Sequence, residues 1–451
     1  MIRDCIKTAR GAAGKRRPGA GPLGRTLMIA LAVGAAMTAL QTALPPSTGA
    51  QTEVSFTIRE SREYTIPLGL ERLSAVNDEP EEIAMAETVG GVLENDLDLS
   101  GLFSLVPFSV TNPETSYADL RAVVRGRIGT RGKKFYLEGW VEEYPTGRSI
   151  FVKRWTFAEK LSRKAAHSFA DDVVLFLTGE SGIAQTKIAY VCTESGSQEV
   201  HVMDYDGYGD RALTAHGSIC VSPAWSPDGE IIAFTGYWKG NPDLHGIKSI
   251  GGKSWIISSR PGINSAASFS PDGKRIAFTM TTDGSAEIYT ADADGSNPKR
   301  LTRNPAIDSS PTWSPSGNQI AFTSGRSGAP QIYVMDADGA NVRRLTYEGS
   351  LNDSPDWSPR GDRIAYVSRR DGRMEICMIN IFGGEEQPLT WGVGNNENPR
   401  WAPDGRHLCF SSTRSGDREI YMMNDDGSGQ RRITNGPGER FCPDWSPRFD
   451  N

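Results

Sequence analysis

The sequence predicts a six-bladed β-propeller with a small mixed α/β domain in front of it. An aromatic residue recurs at positions 225, 269, 313, 357, 401 and 445, an interval of 44 each time. Around each stands Pro-x-Trp-Ser-Pro-Asp-Gly or a close variant, with Phe269 taking the aromatic place in its copy. A period of 40 to 50 residues with several short strands per period is the signature of one propeller blade per repeat. The composition agrees, because 49 glycines, 27 prolines and 38% hydrophobic residues favour many short strands and turns over long helices.

Each repeat reads as four strands. The first ends at the aromatic, and Ser-Pro-Asp-Gly follows as a type I turn with Pro at its second corner and Gly at its fourth. Alternating runs come next, such as Ile276-Ala277-Phe278, Ile320-Ala321-Phe322 and Ile364-Ala365-Tyr366. Ile332-Tyr333-Val334-Met335 and Ile420-Tyr421-Met422 supply third strands, and Arg344-Leu345-Thr346 and Arg432-Ile433-Thr434 fourth ones. Apolar alternation with period two between Gly-bearing turns is strand chemistry. The chain reaches Trp445-Ser446-Pro447 with a first strand only, while Ile188-Ala189-Tyr190 and Val202-Met203-Asp204 lack one upstream. The C-terminal strand is therefore expected to complete the blade that starts near residue 187, leaving no long sheet edge open.

The N-terminal half is organised differently. Residues 1–50 carry a basic start (Arg3, Lys7, Arg10, Lys15, Arg16, Arg17 and Arg25 against Asp4) and an apolar run from Leu27 to Leu40. That run is shorter than the roughly 20 residues of a spanning helix and reads as a secretory signal peptide of the general export route. Residues 51–180 read as the α/β domain and 181–451 as the propeller. Strands are expected at Val54–Ile58, Tyr64–Leu70, Val123–Ile128, Phe135–Glu142 and Ile150–Trp155. One helix is expected from Pro80 to Leu97, with Ile83, Val89, Val92, Leu93 and Leu97 inward and Glu81, Glu82, Glu87 and Glu94 towards water. A second is expected from Phe157 to Leu177.

Charge and cysteine usage narrow the function. The whole chain carries a formal charge of −6, and loss of the basic leader makes the remainder more acidic still. Such a surface is poorly suited to nucleic acid, which demands clustered Lys and Arg. Five cysteines remain after the leader: Cys192, Cys220, Cys377, Cys409 and Cys442, with no C-x-x-C pattern. Cys192 and Cys442 are expected on neighbouring strands of the closing blade, where a disulfide is one option and free buried thiols the other. No Gly-x-Ser-x-Gly elbow, phosphate loop or recurrent histidine appears, so a non-catalytic protein without a cofactor or metal is expected.

The remaining candidate site is surface. Residues four and five before each aromatic, and those thirteen after it, belong to one end of each blade and surround the channel mouth. They include Asn264, Ser265, Asp308, Ser309, Asn352, Asp353, Asn396 and Glu397, with Arg326, Arg370 and Arg414 as a basic rim. Asn and Asp there serve as turn caps, as a polar docking surface for a protein whose carboxylates meet the arginines, or as both.

A leader, an α/β domain and six such repeats, with Ile188-Ala189-Tyr190-Val191 followed by Val202-Met203-Asp204-Tyr205-Asp206-Gly207-Tyr208, resemble the TolB family of the periplasmic Tol-Pal envelope system. The resemblance implies a monomeric periplasmic scaffold that maintains outer-membrane integrity and acts in constriction at cell division, without inserting into the membrane. It implies that the mouth binds Pal, the peptidoglycan-associated lipoprotein, through Asn264, Ser265, Ala266, Asp308, Ser309, Asn352, Asp353, Asn396 and Glu397. It also implies that the mature N-terminus binds TolA, here through Gln51, Thr52, Glu53, Val54, Ser55, Phe56, Thr57, Ile58, Arg59 and Glu60. The alternative reading is a periplasmic propeller hydrolase or lyase acting on polysaccharide or peptide.

Overall fold

The computed structural model describes residues 65–109, 117–282 and 284–449. The leader, the strand expected at Val54–Ile58 and the segment Gln51–Glu60 lie outside the described residues.

The α/β domain is a sheet backed by two helices. Strands β1 (Ile66–Glu71), β2 (Ser74–Ala75), β3 (Phe103–Phe108), β4 (Ala122–Arg131), β5 (Lys134–Glu143) and β6 (Arg148–Phe157) form it, in the order β3-β1-β4-β5-β6 with β2 beside β4. Helix α1 (Pro80–Leu99) joins the parallel strands β1 and β3, and β4, β5 and β6 continue as an antiparallel meander. Helix α2 (Ser162–Thr178) follows a short 3-10 turn at Glu159–Leu161 and stops at Gly179, whose φ of 74° makes it a left-handed cap. Phe157 is thus the end of a strand, not the start of a helix. The sequence reading missed β3, an edge strand interrupted by Pro107.

Two residues of α1 are exchanged relative to the expected faces. Ile83 is exposed, and Glu82 is buried. Glu82 is drawn inward because its carboxylate accepts the backbone N–H and side-chain Nδ2 of Asn77 (2.9 and 3.1 Å) and the N–H and hydroxyl of Thr130 (2.8 Å each). The Asn77 N–H foremost holds its pKa below the usual carboxylate value. A patterning argument cannot see a carboxylate that pins a helix start to a distant strand.

Six four-stranded antiparallel sheets make the ring. The inner strands of blades 1 to 5 are Cys220–Trp225, Asn264–Phe269, Asp308–Trp313, Asn352–Trp357 and Asn396–Trp401. Blade 6 takes its inner strand, Arg440–Trp445, from the C-terminus and its other strands, Lys187–Cys192, Glu199–Asp204 and Arg211–Ala212, from the start of the propeller. The closure is held by backbone pairing from Arg440 opposite Cys192 to Trp445 opposite Ile188. The Trp445 indole adds a hydrogen bond to the Thr186 hydroxyl at 2.8 Å.

Every inner strand carries the same bulge, three residues before the aromatic. Ser222, Ala266, Ser310, Ser354, Asn398 and Cys442 all adopt left-handed φ between 50° and 56°. A non-glycine residue there costs roughly 1–2 kcal/mol, tolerated because the bulge bends the inner edge around the channel. The proline that follows in five copies (Pro223, Pro311, Pro355, Pro399 and Pro443) sits on an edge strand, where no ladder partner needs its N–H. The same bulge decides the cysteines. Register shifts between Phe441 and Asp444, Cys442 leaves the ladder, and its Sγ lies 3.6 Å from Asn398 Oδ1 of the preceding blade. Cys192 and Cys442 are free thiols, and no disulfide clasp closes the ring.

The repeated tryptophans tie blades together. The indoles of Trp225, Trp313 and Trp401 donate to the carbonyls of Asp444, Ser268 and Asp356 in the preceding blade at 3.1–3.2 Å. Phe269 fills the same place without that bond.

Candidate functional site

Blade topology sets two unlike ends. The hairpins joining strands one to two and three to four lie at one end, and those joining two to three, with the links between blades, lie at the other. The α/β domain occupies the first end, where Tyr205 and Asp206 of a three-to-four hairpin and Arg406 of a one-to-two hairpin reach Asp96, Arg163 and Glu180. The opposite end is the mouth predicted from the spacing. The domain and the mouth residues thus sit at opposite ends of the channel.

The structure brings the predicted mouth residues together but divides their roles. Asn264, Asp308, Asn352 and Asn396 open their inner strands and are 0% exposed. Asn264 accepts the Ser258 hydroxyl at 2.8 Å and donates to the Arg260 carbonyl at 2.7 Å. Asp308 accepts the Ser324 hydroxyl (2.5 Å) and the Arg326 guanidinium (2.8 Å), and burial raises its pKa above the ordinary carboxylate value. Asn352 donates to Gln331 and to the Glu348 carbonyl (2.9 and 2.7 Å). Asn396 accepts Ser412 and Arg414 (2.8 Å each) and donates to Glu375 (2.9 Å). A buried polar group must find partners, and these four find them in their own blade, in the preceding blade or in the link between the two.

The basic rim is committed in the same way. Arg326 lies over the rings of Phe322 and Tyr333, and Arg414 over Phe410 and Tyr421. Arg370 pairs with Glu386 at 3.1 Å and Glu348 at 3.5 Å. These guanidiniums brace the hairpins, so they do not stand as free forks awaiting a partner's carboxylates. What faces the mouth is the next residue along. Ser309, Asp353 and Glu397 are half-buried, as is Ala266, while Ser265 is buried.

The sequence reading missed an apolar part of the rim. Tyr347 and Trp391, 70% and 65% exposed, stand on the links entering blades 4 and 5, with Val393 just after Trp391 and Ile307 on the link entering blade 3. Both aromatics precede their repeat tryptophan by ten residues, a recurrence that was available in the sequence. Exposed aromatics beside half-buried carboxylates are the composition of a protein-docking surface.

Further along the channel the bulges and repeat aromatics enclose a cavity of about 300 Å³. Arg400 stands there between Asp444, 3.2 Å away, and Asp356. Burial pushes the Asp444 carboxyl up to about 7. Away from the channel, Asp96, His167 and Asp206 cluster where the two domains meet. Asp96 and His167 are hydrogen-bonded to each other, and Arg163 pairs with Asp206, so these groups are engaged with one another across the domain contact.

A closed six-bladed ring with an α/β domain on one end and an open mouth on the other defines a two-domain propeller protein. A family model described as the TolB beta propeller domain matches residues 175–449, and the chain belongs to that family. A protein TolB homolog of Chlorobium chlorochromatii is 35% identical over 216 residues, 45% of this chain and 48% of its own. A Tol-Pal system protein TolB of Legionella pneumophila is 30% identical over 194 residues, 41% of this chain and 46% of its own. The chain spans about half the length of the curated relatives it matches. The crystal structure of TolB from Acinetobacter baumannii superposes with a TM-score of 0.75 at 26% identity, covering 86% of this chain and 98% of that one.

Proposed function

We propose that this chain is a non-catalytic periplasmic scaffold of the Tol-Pal system, holding Pal at the propeller mouth and TolA through residues 51–60. In this role it maintains outer-membrane integrity and acts in envelope constriction at division. The observation that carries the reading is the likeness to Acinetobacter TolB, which extends over both domains in the same order. The mouth supports it, since Asp353, Glu397, Tyr347 and Trp391 combine charge with exposed aromatic area at the end away from the α/β domain. Within this reading Asn264, Asp308, Asn352 and Asn396, with Arg326, Arg370 and Arg414, shape the docking surface from beneath. Ser265, Ala266, Ser309, Asp353 and Glu397 form its floor.

Separate sites for the two partners give a direct test. Deleting residues 51–60 from the exported chain is expected to abolish capture of TolA while leaving Pal binding within about twofold. Binding of each partner to immobilised protein measures both. Loss of both partners, or of neither, contradicts the division of labour.

A further inference from the structure

The contact between the α/β domain and the propeller contains more titratable chemistry than a structural joint needs. Helix α1 contributes Asp96, helix α2 His167, and the closing blade Tyr205. His167 Nδ1 lies 2.7 Å from one oxygen of Asp96, and the Tyr205 hydroxyl donates to the other at 2.8 Å. Asp96, His167 and Tyr205 are all buried. Arg163 pairs with Asp206 and stacks on Tyr208, its guanidinium 3.9 Å from the ring centre. In blade 5 a second pair, His407 Nδ1 with Asp404 at 2.7 Å, is also buried. The other oxygen of Asp404 accepts the backbone N–H groups of Arg406 and His407. That holds the turn that aims the Arg406 guanidinium at Glu180 with two contacts of 2.6 Å. A cavity of about 20 Å³, room for a single water, is lined by Asp96, Tyr205, Asp171, Asp404 and His407 together.

We propose that this joint is a proton-operated latch, in which the pairs His167–Asp96 and His407–Asp404 hold the α/β domain on the propeller while both imidazoles are protonated. The charge balance is the reason. Around His167 stand the carboxylates of Asp96 and Asp206 with Arg163 as the cationic neighbour, Tyr205 completes the shell, and Asp171 lies behind Asp96 and Tyr205. Around His407 stand Asp404, Asp425 and, through Arg406, Glu180, with Arg363 paired to Asp425. Removing the imidazolium charge from either group leaves buried carboxylates in excess, and unpaired buried charge opposes packing.

The direction with pH follows. For both histidines burial alone favours the neutral form, and the adjacent carboxylates more than offset it, so each pKa is raised above the ordinary value. A raised histidine stabilises the folded joint fully below its unfolded pKa of about 6.5 and loses that contribution as pH rises through the folded pKa. Each unit of elevation makes opening of the joint about tenfold easier once the proton has gone.

The test uses the chain from residue 51 to its end. Amide exchange in helix Ser162–Thr178, relative to that in blade 3, is expected to accelerate about tenfold or more between about pH 6 and about pH 9 after correction for intrinsic rates. The double variant His167→Gln, His407→Gln should lose that relative acceleration. Exchange that tracks blade 3 at every pH, or a double variant with the unaltered pH dependence, overturns the latch. The histidine ring resonances of the unaltered chain decide independently of whether the variant folds. Midpoints above about 6.5 for both rings support the latch, and a midpoint at or below it for either overturns it.

Discussion

Trp445→Ala is expected to destabilise the chain by about 3–5 kcal/mol, the cost of emptying a large buried aromatic site. Trp445 is 6% exposed and packs in a core that runs without a break from the α/β domain into blades 5 and 6. Its strand is also the only source of the closing blade's inner edge. The Ser446 N–H donates to the Lys187 carbonyl and the Lys187 N–H to the Ser446 hydroxyl, each at 2.9 Å, and Arg448 donates to the carbonyls of Gly182, Ser181 and Pro403. Ending the chain after Gly438 should have a larger consequence. The strand Lys187–Cys192 would present an unpaired apolar edge, and such edges recruit other chains. Denaturant melts of the substitution and light scattering of the truncation measure the two effects. A Trp445→Ala melt within about 1 kcal/mol of the parent, or a truncated chain that stays monodisperse, contradicts the closure described above.

The second large effect separates structural from docking residues at the mouth. Arg326→Ala is expected to cost about 2–3 kcal/mol, because it strips a charged partner from a carboxylate with no access to water. Asp308 keeps the Ser324 hydroxyl, which limits the loss. Asp353→Ala should shift the melt by less than about 1 kcal/mol, since its carboxylate is half-buried and accepts only the Thr323 hydroxyl and the Ser354 N–H. Urea unfolding of the two variants checks the contrast. Equal effects would mean that the buried and half-buried members of the ring play one role.

Much of this was legible in the chain because propeller repeats write their period openly. The interval between aromatics located the blades, and the incomplete first and last copies located the closure, since complementary ends need no long-range inference. The candidate site was legible in position but not in depth. Asn264, Asp308, Asn352 and Asn396 are as polar in sequence as Asp353 and Glu397, and only the register of the inner strand separates those that turn into the blade from those that face the channel. Arg326 and Arg414 were hidden for a related reason: the rings beneath each come from strands two and three, 4 and 7 positions away in the chain. Glu82 and His167 were not legible at all, because their partners Thr130 and Asp96 lie 48 and 71 residues distant and no local pattern marks them.

The central claim is that the open mouth is a protein-binding surface for Pal. Calorimetric titration of the chain from residue 51 with the soluble domain of Pal from the same organism tests it most directly, alongside the variant Asp353→Ala, Glu397→Ala. The account predicts saturable binding by the unaltered chain and at least about tenfold weaker binding by a variant that melts as the parent does, a loss of about 1.4 kcal/mol. No binding by the unaltered chain, or equal binding by the variant, would contradict it.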